Sequence, residues 1–99
     1  MPYRIEYSPE AEEHLRVLRA RQQATIVDTV DRQLAHEPLR ETKNRKPMRP
    51  NPLAPWELRI GAFRVYYDVE KTPEPVVSIL AVGMKRRNRL WIGGEEIRL

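Results

Sequence analysis

Apolar and polar residues alternate from the start of the chain. Tyr3, Ile5 and Tyr7 share one side of residues 2–7, and Arg4 and Glu6 take the other, which predicts a strand. Ser8-Pro9-Glu10 then carries the signals of a helix start. The serine hydroxyl can accept from free amides, proline suits the first helical position, and the acids complement the positive helix end. Ala11, Leu15 and Leu18 recur at helical spacing and predict a helix to about residue 20. Ile26, Val27, Val30 and Leu34 predict a second helix from about 22 to 36, closed by Pro38. With no glycine between them, the two helices form either a hairpin around Arg19-Ala20-Arg21 or one kinked helix. The hairpin is preferred, because it lays a single apolar face on a sheet.

Residues 38–55 hold Pro38, Pro47, Pro50, Pro52 and Pro55 among many charges, a pattern that predicts an irregular surface connection. Strand alternation then returns. Trp56, Leu58 and Ile60 face one way and Glu57 and Arg59 the other. After a Gly61-Ala62 turn, Phe63, Val65 and Tyr67 oppose Arg64, Tyr66 and Asp68. A second turn at Lys71–Pro75 leads to Val76–Gly83, apolar on both faces as an interior strand would be. The tail from Met84 to Leu99 runs from basic residues into Leu90-Trp91-Ile92 and then Gly93-Gly94, and predicts a short extended segment. The whole is one domain, residues 1–99, of α+β class: an N-terminal strand, a helical hairpin, then a three-stranded antiparallel meander in one sheet.

Charge adds the first hint of a partner. The chain carries 18 basic and 14 acidic residues, a net +4, and the cations are clustered. Arg40, Lys43, Arg45, Lys46 and Arg49 crowd the proline-rich connection, and Lys85, Arg86, Arg87 and Arg89 follow the last strand. Such clusters fit either a polyanion partner or a solvated basic surface. There is no cysteine, and the two histidines stand far apart, so no metal or other cofactor is expected. His14, in a charged helix, is expected to face solvent, and His36 to sit at a helix end. No stretch approaches the roughly 18 apolar residues of a membrane span, and no apolar leader opens the chain, so a cytoplasmic protein is expected.

The hairpin Trp-Glu-Leu-Arg-Ile-Gly-Ala-Phe-Arg-Val-Tyr-Tyr-Asp at residues 56–68, the opening Ile5–Ala11, and the strand closing on Ala81-Val82-Gly83 before basic residues together resemble the RelE/ParE toxin family. The resemblance implies a RelE-like α+β fold and a cognate acidic antitoxin. It also implies one of two activities: metal-independent cleavage of messenger RNA on the ribosome, or inhibition of DNA gyrase. A toxin-like nucleic-acid-binding module without chemistry is a third reading.

By that resemblance Arg59, Arg64 and Lys85 are the candidate catalytic residues, with Arg86 as an alternative to Lys85. Arg45, Lys46, Arg86, Arg87, Arg89 and Trp91 are the candidate RNA contacts. Arg64 suits the crowded phosphorane, since a guanidinium grips two phosphate oxygens and stays charged. Pairing with Glu57 or Asp68 across the sheet would explain Arg64 as well, and pairing with Asp68 would explain Arg59. Glu57 stands where some nuclease members carry lysine, and is either a base or a salt-bridge partner. Trp91 falls where that branch often has tyrosine. It either stacks on an unpaired base or covers the sheet edge. No histidine follows the last strand, so the acid and base stay unassigned.

Overall fold

The first strand ends and the first helix begins at Ser8. In the structure, a computed structural model describing residues 2–99, β1 (Arg4–Tyr7) gives way there to α1 (Pro9–Arg16). The Ser8 hydroxyl accepts the Ala11 N–H at 3.0 Å, and Pro9 opens the helix. α1 is shorter than its apolar spacing suggests, because the chain turns back at Val17–Arg19 into α2 (Ala20–Leu34). Two glutamines close that turn: the Gln22 side chain accepts the Arg19 N–H at 3.0 Å, and the Gln23 side chain donates to the Leu18 carbonyl at 2.8 Å. The result is the helical hairpin. Ala11 and Leu15 from α1 and Ile26, Val30 and Leu34 from α2 are buried against one face of the sheet. Full burial of each of the larger aliphatic side chains contributes about 1.5–3 kcal/mol.

The connection expected to be irregular over 38–55 contains β2 (Arg45–Pro47), paired antiparallel to β3 (Trp56–Ile60). β2 is the terminal strand of the sheet path, where a proline's missing N–H is tolerated. Two side chains anchor this stretch. Arg45 donates to the Gln33 carbonyl at 2.8 Å, in the last turn of α2, and to the Glu37 carbonyl just beyond the helix. The Tyr67 hydroxyl donates to the Pro38 carbonyl at 2.7 Å.

β3 and β4 (Phe63–Glu70) form the expected hairpin, with Glu57 opposite Tyr66 and Arg59 opposite Arg64. β4 lines one edge of β5 (Val76–Arg86) along its length, with a register shift that leaves Leu80 as an extra residue. The other edge of β5 is shared. β1 runs parallel to Val76–Ile79, and β6 (Arg89–Ile92) runs antiparallel to Gly83–Arg86. β7 (Glu95–Ile97) completes the order β2-β3-β4-β5-β6-β7. The tail is therefore two strands rather than one extended segment. Its two tight turns each place consecutive residues at positive φ: Arg87 (51°) and Asn88 (66°), then Gly93 (59°) and Gly94 (84°).

Folding the tail onto the sheet creates a second apolar cluster, of Ala54, Tyr66, Ala81, Leu90 and Ile92, on the face away from the helices. Gly83 makes the fit possible. A β-carbon there would lie 2.7 Å from Ile92 Cγ1 and 2.8 Å from the Trp91 carbonyl oxygen. Among the described residues no helix is long and apolar enough to cross a membrane. The packing sets a clear expectation: Gly83→Ala lowers unfolding free energy by about 1–3 kcal/mol, read as a shifted urea midpoint at unchanged slope. An unshifted midpoint would mean that the tail does not press on β5.

Candidate nucleic-acid interface

Strand register decides which functional side chains meet. Lys46, Glu57 and Tyr66 occupy opposed positions across β2, β3 and β4, on the face away from the helices. Glu57 is only 5% exposed, and its Oε1 lies 3.7 Å from Lys46 Nζ. The Tyr66 hydroxyl is buried without a hydrogen-bond partner. Burial first, and then the neighbouring Glu57 carboxylate, push the Tyr66 pKa far up, with Arg64 opposing the rise. Tyr66 is therefore a neutral phenol at physiological pH.

Arg64 and Arg59 form the next row of the same face. Arg64 is 8% exposed, and its Nη1 donates to the Gly61 and Phe63 carbonyls at 2.8 and 2.9 Å. Its Nε has no partner. No ion pair joins Arg64 to Glu57 or Asp68 among the described residues, and none joins Arg59 to Asp68. The Asp68 carboxylate instead accepts the Val69 N–H. Lys85 is exposed and joins Lys46, Glu57, Tyr66 and Arg89 around a depression of about 460 Å³. Two lysines and an arginine thus border a buried carboxylate and a buried phenol, with Glu96 and Arg98 also on the rim and Arg64 close enough to influence the phenol. The cations suit a phosphate, while the Glu57 carboxylate and the Tyr66 hydroxyl lie buried beneath them.

The remaining expected contacts divide. Arg45 does not fit the expected role: it is 9% exposed and its guanidinium is committed to the end of α2, so it braces the fold. Met84 pairs with Trp91 and Arg86 with Arg89, which sets Trp91, Arg86 and the base of Arg89 on the helix-side face, opposite Lys85; next to the turn, the Arg89 side chain also borders the depression on the Lys85 side. Arg87 occupies the turn between them. The basic tail serves two faces, not one.

His14 is the residue that sequence patterning missed. It is half-buried, and its Nδ1 accepts the Val82 N–H at 3.2 Å. Val82 lies between the last residue of β5 paired with β1, Ile79, and the first paired with β6, Gly83. The imidazole fills the hydrogen-bond vacancy at that change of partner. Only the tertiary pairing reveals this demand; a helical histidine beside Leu15 gives no local signal of it. His36 is exposed.

A family model described as the ParE toxin of the type II toxin–antitoxin system, parDE, matches residues 5–89. The chain is also similar to a chain of the crystal structure of the toxin–antitoxin complex RelBE2 from Mycobacterium tuberculosis. The TM-score is 0.71 and the identity 27%, over 86% of this chain and 100% of that one. No curated protein matches the sequence.

Burial lowers the His14 pKa, against the opposing charges of Glu10 and Glu13. A depressed histidine stabilises the fold above its unfolded pKa of about 6.5, and that contribution is lost as pH falls through the folded value. Urea unfolding from pH 7.5 to 5 should therefore show a stability difference between wild type and His14→Gln that shrinks with acidification. A difference independent of pH would contradict the Nδ1 acceptor role.

Proposed function

The chain belongs to the ParE toxin family of type II toxin–antitoxin systems, and of the two activities that the RelE/ParE resemblance implies we propose that it cleaves messenger RNA on translating ribosomes without a metal. The observation that carries this reading is the face on which Lys46, Lys85 and Arg89 surround the buried Glu57 and Tyr66, with Arg64 beside them. In such cleavage the 2′-hydroxyl attacks the adjacent phosphorus, the P–O5′ bond breaks, and the products are a cyclic phosphate and a 5′-hydroxyl. Arg64, with Nε unpartnered, stabilises the charge that builds on the phosphorane oxygens. Lys85 and Arg59 hold the flanking phosphates. Glu57 is the base that takes the 2′ proton. Tyr66, a neutral phenol, gives the proton that the departing oxygen takes up.

A cognate antitoxin follows from the same premise, since the similar RelBE2 structure is itself a toxin–antitoxin complex. An acidic segment laid over Lys46, Lys85 and Arg89 would neutralise the toxin by covering the substrate face, in the cytoplasm where ribosomes work. A second reading, non-enzymatic inhibition of DNA gyrase, is favoured by the burial of Glu57 and Tyr66, which leaves proton transfer poorly exposed.

Primer extension on messages in a translating extract separates the two. The nuclease reading expects cuts at ribosomal positions that fall about 10²–10³-fold with Arg64→Ala, the scale of losing a main transition-state cation. Intact messages together with blocked DNA supercoiling would replace it with the gyrase reading.

A further inference from the structure

The two ends of the sheet meet at the depression that holds Glu57 and Tyr66. β2 and β7 are the terminal strands of the order, yet both sides line this space: Lys46 and Met48 on one, Glu96, Ile97, Arg98 and Leu99 on the other. Leu99 also borders a neighbouring hollow of about 470 Å³, whose remaining walls are Lys46–Asn51. The chain beyond β7 thus runs across to the β2 side. Ile97 packs, half-buried, against the apolar cluster that contains Tyr66. The family match ends at residue 89, so this segment lies outside it.

The two end strands differ in how firmly they are held. Each has three residues and one neighbouring strand. β2 is bolted to α2 by the Arg45 guanidinium. β7 hangs from β6 by Gly93-Gly94, both at positive φ. Its ion pairs among the described residues join Glu96 to Arg89 and to Arg98, each at 3.7 Å. Both arginine side chains are largely exposed, so each pair contributes little. Glu57, meanwhile, is 5% exposed, and the Tyr66 hydroxyl is buried without a partner. The proton transfers assigned above require both groups to touch the substrate. A wall of the depression must move, and β7 is the weakly held one.

We propose that residues 95–99 form an autoinhibitory strap over the cleavage residues. Closed, it covers Glu57 and Tyr66, latched by Ile97 on the apolar cluster and by Glu96 between Arg89 and Arg98. Its carboxylate also sets negative charge on the rim that the anionic substrate must cross. Open, β7 swings away on Gly93-Gly94, and the buried carboxylate and phenol meet the RNA. Apparent activity then falls with the fraction of molecules that are open. The inference rests on the nuclease reading above, and it explains how groups buried at rest take part in chemistry.

The test is acetylation of the full chain by N-acetylimidazole, which modifies accessible phenols, with the sites resolved by peptide fragmentation. Tyr67 is the internal control, since it is buried on the helix side and bonded to the Pro38 carbonyl. Ile97→Ser should raise the rate at Tyr66 about 10-fold, the scale of withdrawing a half-buried aliphatic side chain, and leave Tyr67 unreactive. Glu96→Gln should raise it about 2–5-fold at low salt, a gain that fades towards 1 M salt. Cutting in a translating extract should rise in the same order. Tyr66 inert in both variants, or Tyr66 and Tyr67 reacting together, overturns the proposal. Cutting by the wild type that neither variant increases overturns it as well, and leaves the nuclease reading standing. Selective opening of Tyr66 with no cutting by any of the three proteins supports the strap as a cover and removes the nuclease.

Discussion

The outer edge of β5 is the constraint on which the rest of the molecule depends. A strand offers one row of amides and carbonyls on each side, and here one side is divided between two partners. β1 occupies Val76–Ile79 and β6 occupies Gly83–Arg86. The junction would leave the N–H of the buried Val82 unpaired, a penalty of about 1–3 kcal/mol. His14 removes it by reaching from α1. This contact joins the helical layer to the β5 edge at the point where β1 hands over to β6. It lies immediately before Gly83, where pairing with β6 begins.

The division of the basic tail follows from that register. A one-residue slip of β6 would exchange the faces of Leu90, Trp91 and Ile92, exposing two aliphatic side chains and burying the indole among them. Gly83 guards against the slip, because only a residue without a β-carbon admits Ile92 so closely. With register fixed, Leu90 and Ile92 cover the Tyr66 side of the sheet while Trp91 borders a recess beside His14. The same covering leaves Tyr66 Oη and Arg64 Nε without hydrogen-bond partners. Buried polar groups are usually satisfied, so these two unpaired atoms, like the Tyr7 hydroxyl, carry a cost in stability.

Much of this architecture was legible along the chain because it is local. Ser8-Pro9, the period of Ile26, Val30 and Leu34, and the alternation across residues 56–68 each predict their element from neighbours a few positions away. The misreadings have a common cause: their partners lie far off in sequence. Arg45 looked like one cation among many, yet it is consumed by carbonyls at Gln33 and Glu37. β2 forms in a proline-rich stretch because β3 offers it an edge, and β6 and β7 form because β5 does. His14 has no motif at all. Of the site, Arg59 and Arg64 were assigned to the polar side of their strands by alternation, whereas the approach of Lys46 and Lys85 to them, and the separation of Arg86 and Trp91 from Lys85, required the register.

Amide hydrogen exchange at Val82 probes the governing contact most directly. A shared β5 edge closed by His14 predicts slow exchange of the Val82 N–H in the native chain near pH 7, and a large loss of protection in His14→Ala while the amides of Val77 and Ile79 stay protected. Equal Val82 protection in both proteins would contradict the account, because the edge would then be closed by something other than the imidazole.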